Sequence, residues 1–214
     1  MVWRNIYIPT DLGGAMVRIA SWILIILLIF SNQAFAITHV NVEAIKEAQD
    51  YGKSKLQSNY NDFLRPWMAY EEKAERLNET AEHAYLYTPF LLVATDTRDK
   101  IARRQQPSIA DSQKVLDSYA GYLVFSVTIF GAESNFAENA TAVLNQSNKI
   151  VRAHQAKILA ASKTCWYPKS PLFRAQSYFY FSEKEIRPDR PVILTITTSD
   201  KQKHNFYFNL PKIR

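Results

Sequence analysis

The sequence predicts an α+β protein: an N-terminal helical segment over residues 37–120, then a C-terminal antiparallel β-sandwich of Ig-like or C2-like architecture over residues 121–214. Three observations predict it. Residues 174–182, 191–198 and 203–210 each alternate apolar and polar side chains, the period of a strand with one face on a core. Residues 122–130 alternate as well, but with apolar groups on both faces, as a central strand requires. Upstream, apolar residues recur at spacings of three and four behind capping residues, the helical pattern.

The first informative stretch is 16–36. Arg18 supplies a positive start, residues 19–30 form an apolar run broken only by Ala20 and Ser21, and Ala34-Phe35-Ala36 fits a small-x-small cleavage site. Together they read as a secretory signal peptide cleaved after Ala36. The run is shorter than the ~20 residues of a membrane-spanning helix; an uncleaved N-terminal anchor is the alternative, and the membrane is a partner only in that case. Residues 1–15 fit no targeting pattern and read as an extension from a wrongly assigned start, with Met16 as the true one.

Cleavage removes Arg4, Asp11 and Arg18 and leaves 178 residues with 24 basic and 19 acidic side chains, a net charge of +5. That length suits one domain. An exported basic chain is not expected to meet nucleic acid. Its counter-charges would be anionic envelope polymers, or the charge serves solubility alone. Cys165 is the sole cysteine, so an intrachain disulfide is impossible. Export with so little cysteine points to a bacterial envelope.

In the helical segment, Asn41 caps a helix over 42–51 with Val42, Ile45 and Ala48 inward and Gly52 as its stop. Residues 54–61 read as loop. Pro66 opens a second helix, striped by Trp67, Tyr70, Ala74, Leu77, Ala81 and Ala84. Thr88-Pro89 starts a third, with Phe90, Val93, Ala94, Thr97 and Ile101 on one face. Arg98, Lys100, Arg103 and Arg104 gather near its end, either as an anion-binding patch or as a solvated last turn that suits the helix dipole. Ser108 and Asp111 form a capping box for a fourth helix, which buries Ile109, Val115, Leu116 and Tyr119 and closes at Gly121.

In the sandwich half, residues 141–144 and 149–157 flank the turn Asn145-Gln146-Ser147-Asn148. Neither face of 149–157 is purely apolar, which predicts an edge strand protected by Arg152 or Lys157. Residues 160–171 form a loop carrying Cys165 and Trp166, and the three alternating strands follow.

Motifs for chemistry are sparse. There is no Gly-rich phosphate loop, no His-Glu-x-x-His and no paired-cysteine motif, so no metal and no cofactor is expected. An enzymatic reading rests on Cys165 as the nucleophile of an exported hydrolase with His154 or His204 as base. Against it, a lone cysteine beside Trp166 packs as a small apolar group. The polar faces of the last strands are more informative. Gln176, Tyr178, Tyr180, Asn205, Tyr207 and Asn209 would lie together if consecutive strands pair, and Tyr rings beside amides suit a glycan or a peptide. Otherwise the helical half packs there. The expectation is a non-catalytic accessory or binding protein of the cell envelope.

Overall fold

The computed structural model describes residues 41–164 and 173–213. The signal-peptide and start-site readings, Cys165 and Trp166 lie outside them. The described residues all fall in one compact unit.

The first helix, α1 (Val42–Ser54), starts where Asn41 Oδ1 accepts from the Ala44 amide at 2.8 Å. Ile45 and Ala48 are buried, whereas Val42, expected inward, is exposed. Gly52 does not end the helix. It sits inside α1 against the backbone of α3 (Pro89–Ala102), and a Cβ there would lie 2.4 Å from the Ala94 carbonyl oxygen. The glycine therefore lets two helices touch, a packing role that a cap signal mimics in sequence.

The expected second helix is absent. A short helix, α2 (Tyr60–Leu64), and a 3₁₀ turn (Arg65–Trp67) precede strand β1 (Met68–Tyr70). After a polar stretch of turns and bends comes β2 (His83–Tyr87). The alanine-rich stripe carried too little apolar surface to hold a helix. His83, Tyr85 and Tyr87 instead alternate with Ala84 and Leu86 across a strand.

Helix α3 and helix α4 (Ile109–Tyr119) start as the sequence dictates. Thr88 caps α3, and Ser108 and Asp111 make a reciprocal capping box on α4. Gly121, at φ +83°, turns the chain out of α4 into β3 (Tyr122–Gly131). The remaining strands are β4 (Thr141–Gln146), β5 (Lys149–Arg152), β6 (Gln155–Ile158), β7 (Ser162–Lys163), β8 (Phe173–Ser182), β9 (Val192–Thr197) and β10 (Lys203–Phe208). Because β1 and β2 lie between α2 and α3, the part before residue 121 is not purely helical. Residue 120 is no domain boundary either, since β2 pairs with β3 across it.

Two antiparallel sheets result. In the first, β1, β2, β3, β8 and β6 lie side by side, with β7 also on β8; in the second, the order is β10, β9, β4, β5. Their inner faces share one apolar core in which Phe179, Leu194 and Phe206 are fully buried. The expected face assignments of β8, β9 and β10 therefore hold. Strand β3 is central and buried on both sides, also as expected. The second side of the first sheet receives the helices: Tyr85 of β2 packs in a separate cluster with Ile45, Phe63, Trp67, Phe90, Leu91 and Ala94.

Both edges of the sheets are stitched. The Glu71 amide donates to the Glu82 carbonyl beside β2, while the next amide, Glu72, donates to Asn205 in β10, both at 3.0 Å. At the other edge the Ala153 amide reaches Ala142 in β4 and the His154 amide reaches Tyr180 in β8. The expected single edge strand over 149–157 thus bends at Ala153 and serves both sheets. Edge amides that would otherwise face solvent are paired this way.

Candidate functional site

The last three strands do not form one sheet. Strand β8 pairs with β3 and β6, whereas β9 and β10 pair with each other in the second sheet. The six expected binding residues are therefore divided. Gln176, Tyr178 and Tyr180 occupy the helix-facing side of the first sheet. Asn205 and Tyr207 lie on the outer side of the second, and Asn209 follows β10. The division arises because the 3₁₀ turn Glu183–Glu185 and residues 186–191 carry the chain from the first sheet to the second.

Asn205 is held by the fold. Its Oδ1 accepts from Thr195 Oγ1 at 2.8 Å, and its Nδ2 donates to Glu72 Oε1 at 2.7 Å, across the stitched edge. Gln176 donates to Ser126 Oγ at 3.0 Å within its sheet. Tyr207 is exposed, opposite exposed Ile193 on β9.

Tyr178 and Tyr180 remain, and they line a cavity of about 530 Å³. Its floor is the helix-facing side of the first sheet: Tyr87 of β2, Val124 of β3, Tyr178 and Tyr180 of β8, and Lys157 of β6. Register sets the floor, with Val124 opposite Tyr180 and Lys157 opposite Tyr178. Its walls are Leu92, Thr95, Asp96 and Asp99 of α3, Val115 and Tyr119 of α4, and Tyr60 of α2. The helices cover β2 closely but leave β3, β8 and β6 partly free, and the space between is this cavity.

The polar groups of the lining differ in what already satisfies them. The Tyr60 and Tyr87 hydroxyls bond to each other, and burial pushes both above the ordinary tyrosine range. For Tyr60 the nearby Asp99 charge adds to that effect. Burial also raises Tyr180, helped by Tyr119 and Tyr178. These phenols therefore stay protonated and can donate hydrogen bonds. Asp96 is paired with Lys100 at 2.9 Å. No cation among the described residues lies within ion-pair distance of Asp99. The Thr95 hydroxyl is buried without a hydrogen-bond partner among the described residues. A cavity of this size, ringed by aromatic groups with a few polar ones, suits a small ligand or the end of a chain.

Sequence reasoning missed Tyr60, Tyr87, Tyr119, Thr95, Asp96 and Asp99. A signal existed for the α3 wall: Leu92, Thr95, Asp96 and Asp99 fall at helical spacing and form a second stripe beside the buried one. Tyr87 was missed because the helical stripe read through Ala84 runs into the start of its strand.

The four expected anion-patch residues do not form a common patch. The Arg98 guanidinium lies 5.2 Å from the Tyr60 ring centre and 4.8 Å from that of Phe63, and it donates to the Ser58 carbonyl at 2.7 Å. Lys100 bridges Asp96 and Asp111. Arg103 and Arg104 are exposed past the last turn of α3, where the solvated reading placed them.

The two candidate bases have other surroundings. His154 stacks on Tyr122, with ring centres 5.8 Å apart, at the bend between the sheets. His204 Nδ1 contacts Glu82 Oε2 at 2.6 Å, and Glu82 Oε1 accepts from the Phe130 amide at 2.9 Å, so this pair ties the sheets together. Among the described residues no group of three or more His, Cys, Asp or Glu is placed to hold a metal ion, and no helix is long and apolar enough to cross a membrane. No protein-family model matches the chain, and a search of curated proteins returned no similar sequence.

Proposed function

We propose that the chain is an exported, non-catalytic binding protein of the bacterial cell envelope, and that it holds part of an envelope glycan or peptide in the cavity over Tyr178 and Tyr180. The observation that carries this reading is the cavity itself. A sheet face that could have been closed by α3 and α4 retains a space of about 530 Å³ lined by five tyrosines. Tyrosine faces stack on apolar ligand surfaces while their hydroxyls meet polar edges. Export and envelope location rest on the pattern of residues 16–36, and the net positive charge fits anionic surroundings. The same reading takes the two sheets as the layers of a β-sandwich, Ig-like or C2-like, and their common core supports it.

The test is cosedimentation of the full chain with isolated cell-wall material. Changing Tyr178 and Tyr180 to Ala together is expected to abolish binding while circular dichroism stays native. Binding that survives the double change, or that the unaltered chain never shows, rejects the cavity as the site.

A further inference from the structure

The cavity's chemistry narrows the ligand, on the reading just given. Its lining combines the faces of several tyrosines with two carboxylates on adjacent turns of α3. Tyrosine rings present negative π faces, which attract a cation brought within about 6 Å of the centroid. Lys100 already neutralises Asp96. Asp99 has no such partner among the described residues, and it lines the cavity near Tyr60, whose hydroxyl holds its proton more tightly through burial first and the Asp99 charge second. Arg98 is not among the lining residues; its guanidinium is turned onto the Tyr60 and Phe63 rings and tied to Ser58. The lining's own cation, Lys157, is exposed on the edge strand β6, across the floor from α3. The α3 side of the cavity is thus anionic and aromatic, with a carboxylate free to take a counter-charge.

We propose that the cavity recognises a cationic amine, with Asp99 as its counter-ion and the rings of Tyr60 and Tyr178 as its π contacts. The amine could be carried by a glycan with free amino sugars or by a peptide with a lysine or free N-terminus. The shared chemistry is the ammonium group.

Two compound pairs, each differing in amine charge, test this on the full chain. One is the glucosamine tetramer against the N-acetylglucosamine tetramer; the other is trilysine against its fully N-acetylated form. Binding is followed by two-dimensional NMR through the Tyr178 and Tyr180 signals. At least one amine form is expected to bind about tenfold more tightly than its acetylated partner, and the pair that does so identifies the source. Asp99→Asn, at an exposed position without an ion-pair partner among the described residues, is expected to keep the fold and erase that preference. Equal binding within both pairs overturns the cation assignment and leaves the cavity reading standing. A preference that survives Asp99→Asn also overturns it. If no compound moves the cavity signals, the cation assignment fails, and the cell-wall experiment decides separately whether the cavity binds anything.

Discussion

His204 Nδ1 of β10 and Glu82 Oε2 beside β2 lie 2.6 Å apart, and the other Glu82 oxygen accepts the Phe130 amide of β3. One carboxylate thus joins both sheets at the edge where Glu71 and Glu72 split their amides between them. Both side chains are mostly buried, at 12% and 19% relative exposure. Glu82→Ala would leave the Phe130 amide and His204 Nδ1 without that acceptor. The expected loss is about 2–4 kcal/mol of unfolding free energy, because a buried donor stripped of its acceptor bears the desolvation cost alone. Urea denaturation measures it, and a loss below about 1 kcal/mol would mean the pair contributes little to joining the sheets.

Gly52→Ala is expected to destabilise the protein although alanine is the better helix former. The new methyl would lie 2.4 Å from the Ala94 carbonyl oxygen and 3.2 Å from Thr97 carbons. The obstacle is backbone, so α1 and α3 must separate, at about 2–3 kcal/mol. A thermal melt with unchanged or raised Tm would contradict the close approach of these helices.

His83 gives the fold an acid sensitivity. It is buried, stacks edge-on against Tyr70 and Tyr85, and donates from Nδ1 to the Ala81 carbonyl at 2.7 Å. Burial, reinforced by Arg174, holds its pKa below the ordinary 6.5. The unfolded chain therefore takes up a proton more readily than the folded one. The stability this neutral imidazole contributes is complete above about pH 6.5 and declines as pH falls through the folded value. Denaturation midpoints compared between about pH 5 and pH 7 are expected to show a shallower slope in His83→Gln than in the unaltered chain. Parallel slopes would assign the acid sensitivity elsewhere.

Tyr207→Ala separates the two halves of the sequence-derived binding set. Tyr207 stands 57% exposed on the second sheet, which the helices do not cover. Its loss is expected to change stability by less than about 0.5 kcal/mol and to leave cell-wall binding intact, in contrast to the Tyr178 and Tyr180 change. Binding that fails in Tyr207→Ala alone would move the site to the outer face of the second sheet.

Much of the fold was legible because its signals are local. The caps at Asn41, Thr88 and Ser108 act within a few residues, and each caps its helix as expected. Alternation along β3, β8, β9 and β10 placed Phe125, Phe179, Leu194 and Phe206 in the core before any partner was known. Gly52 and the 66–84 stretch misled for one reason: a glycine or a row of alanines looks alike in sequence whether it ends an element, lines one or admits a neighbour's backbone.

Side-chain periodicity alone therefore determined which residues of each strand turn inward, since the pleat fixes that without reference to any other strand. Strand partnership was decided only in three dimensions. Strand β8 gains β3 and β6 as neighbours, Tyr178 and Tyr180 come under α3 and α4, and Asn205 and Tyr207 go to the other sheet. Pairing is a competition among all exposed edges and apolar faces in the chain, and no segment carries its outcome by itself.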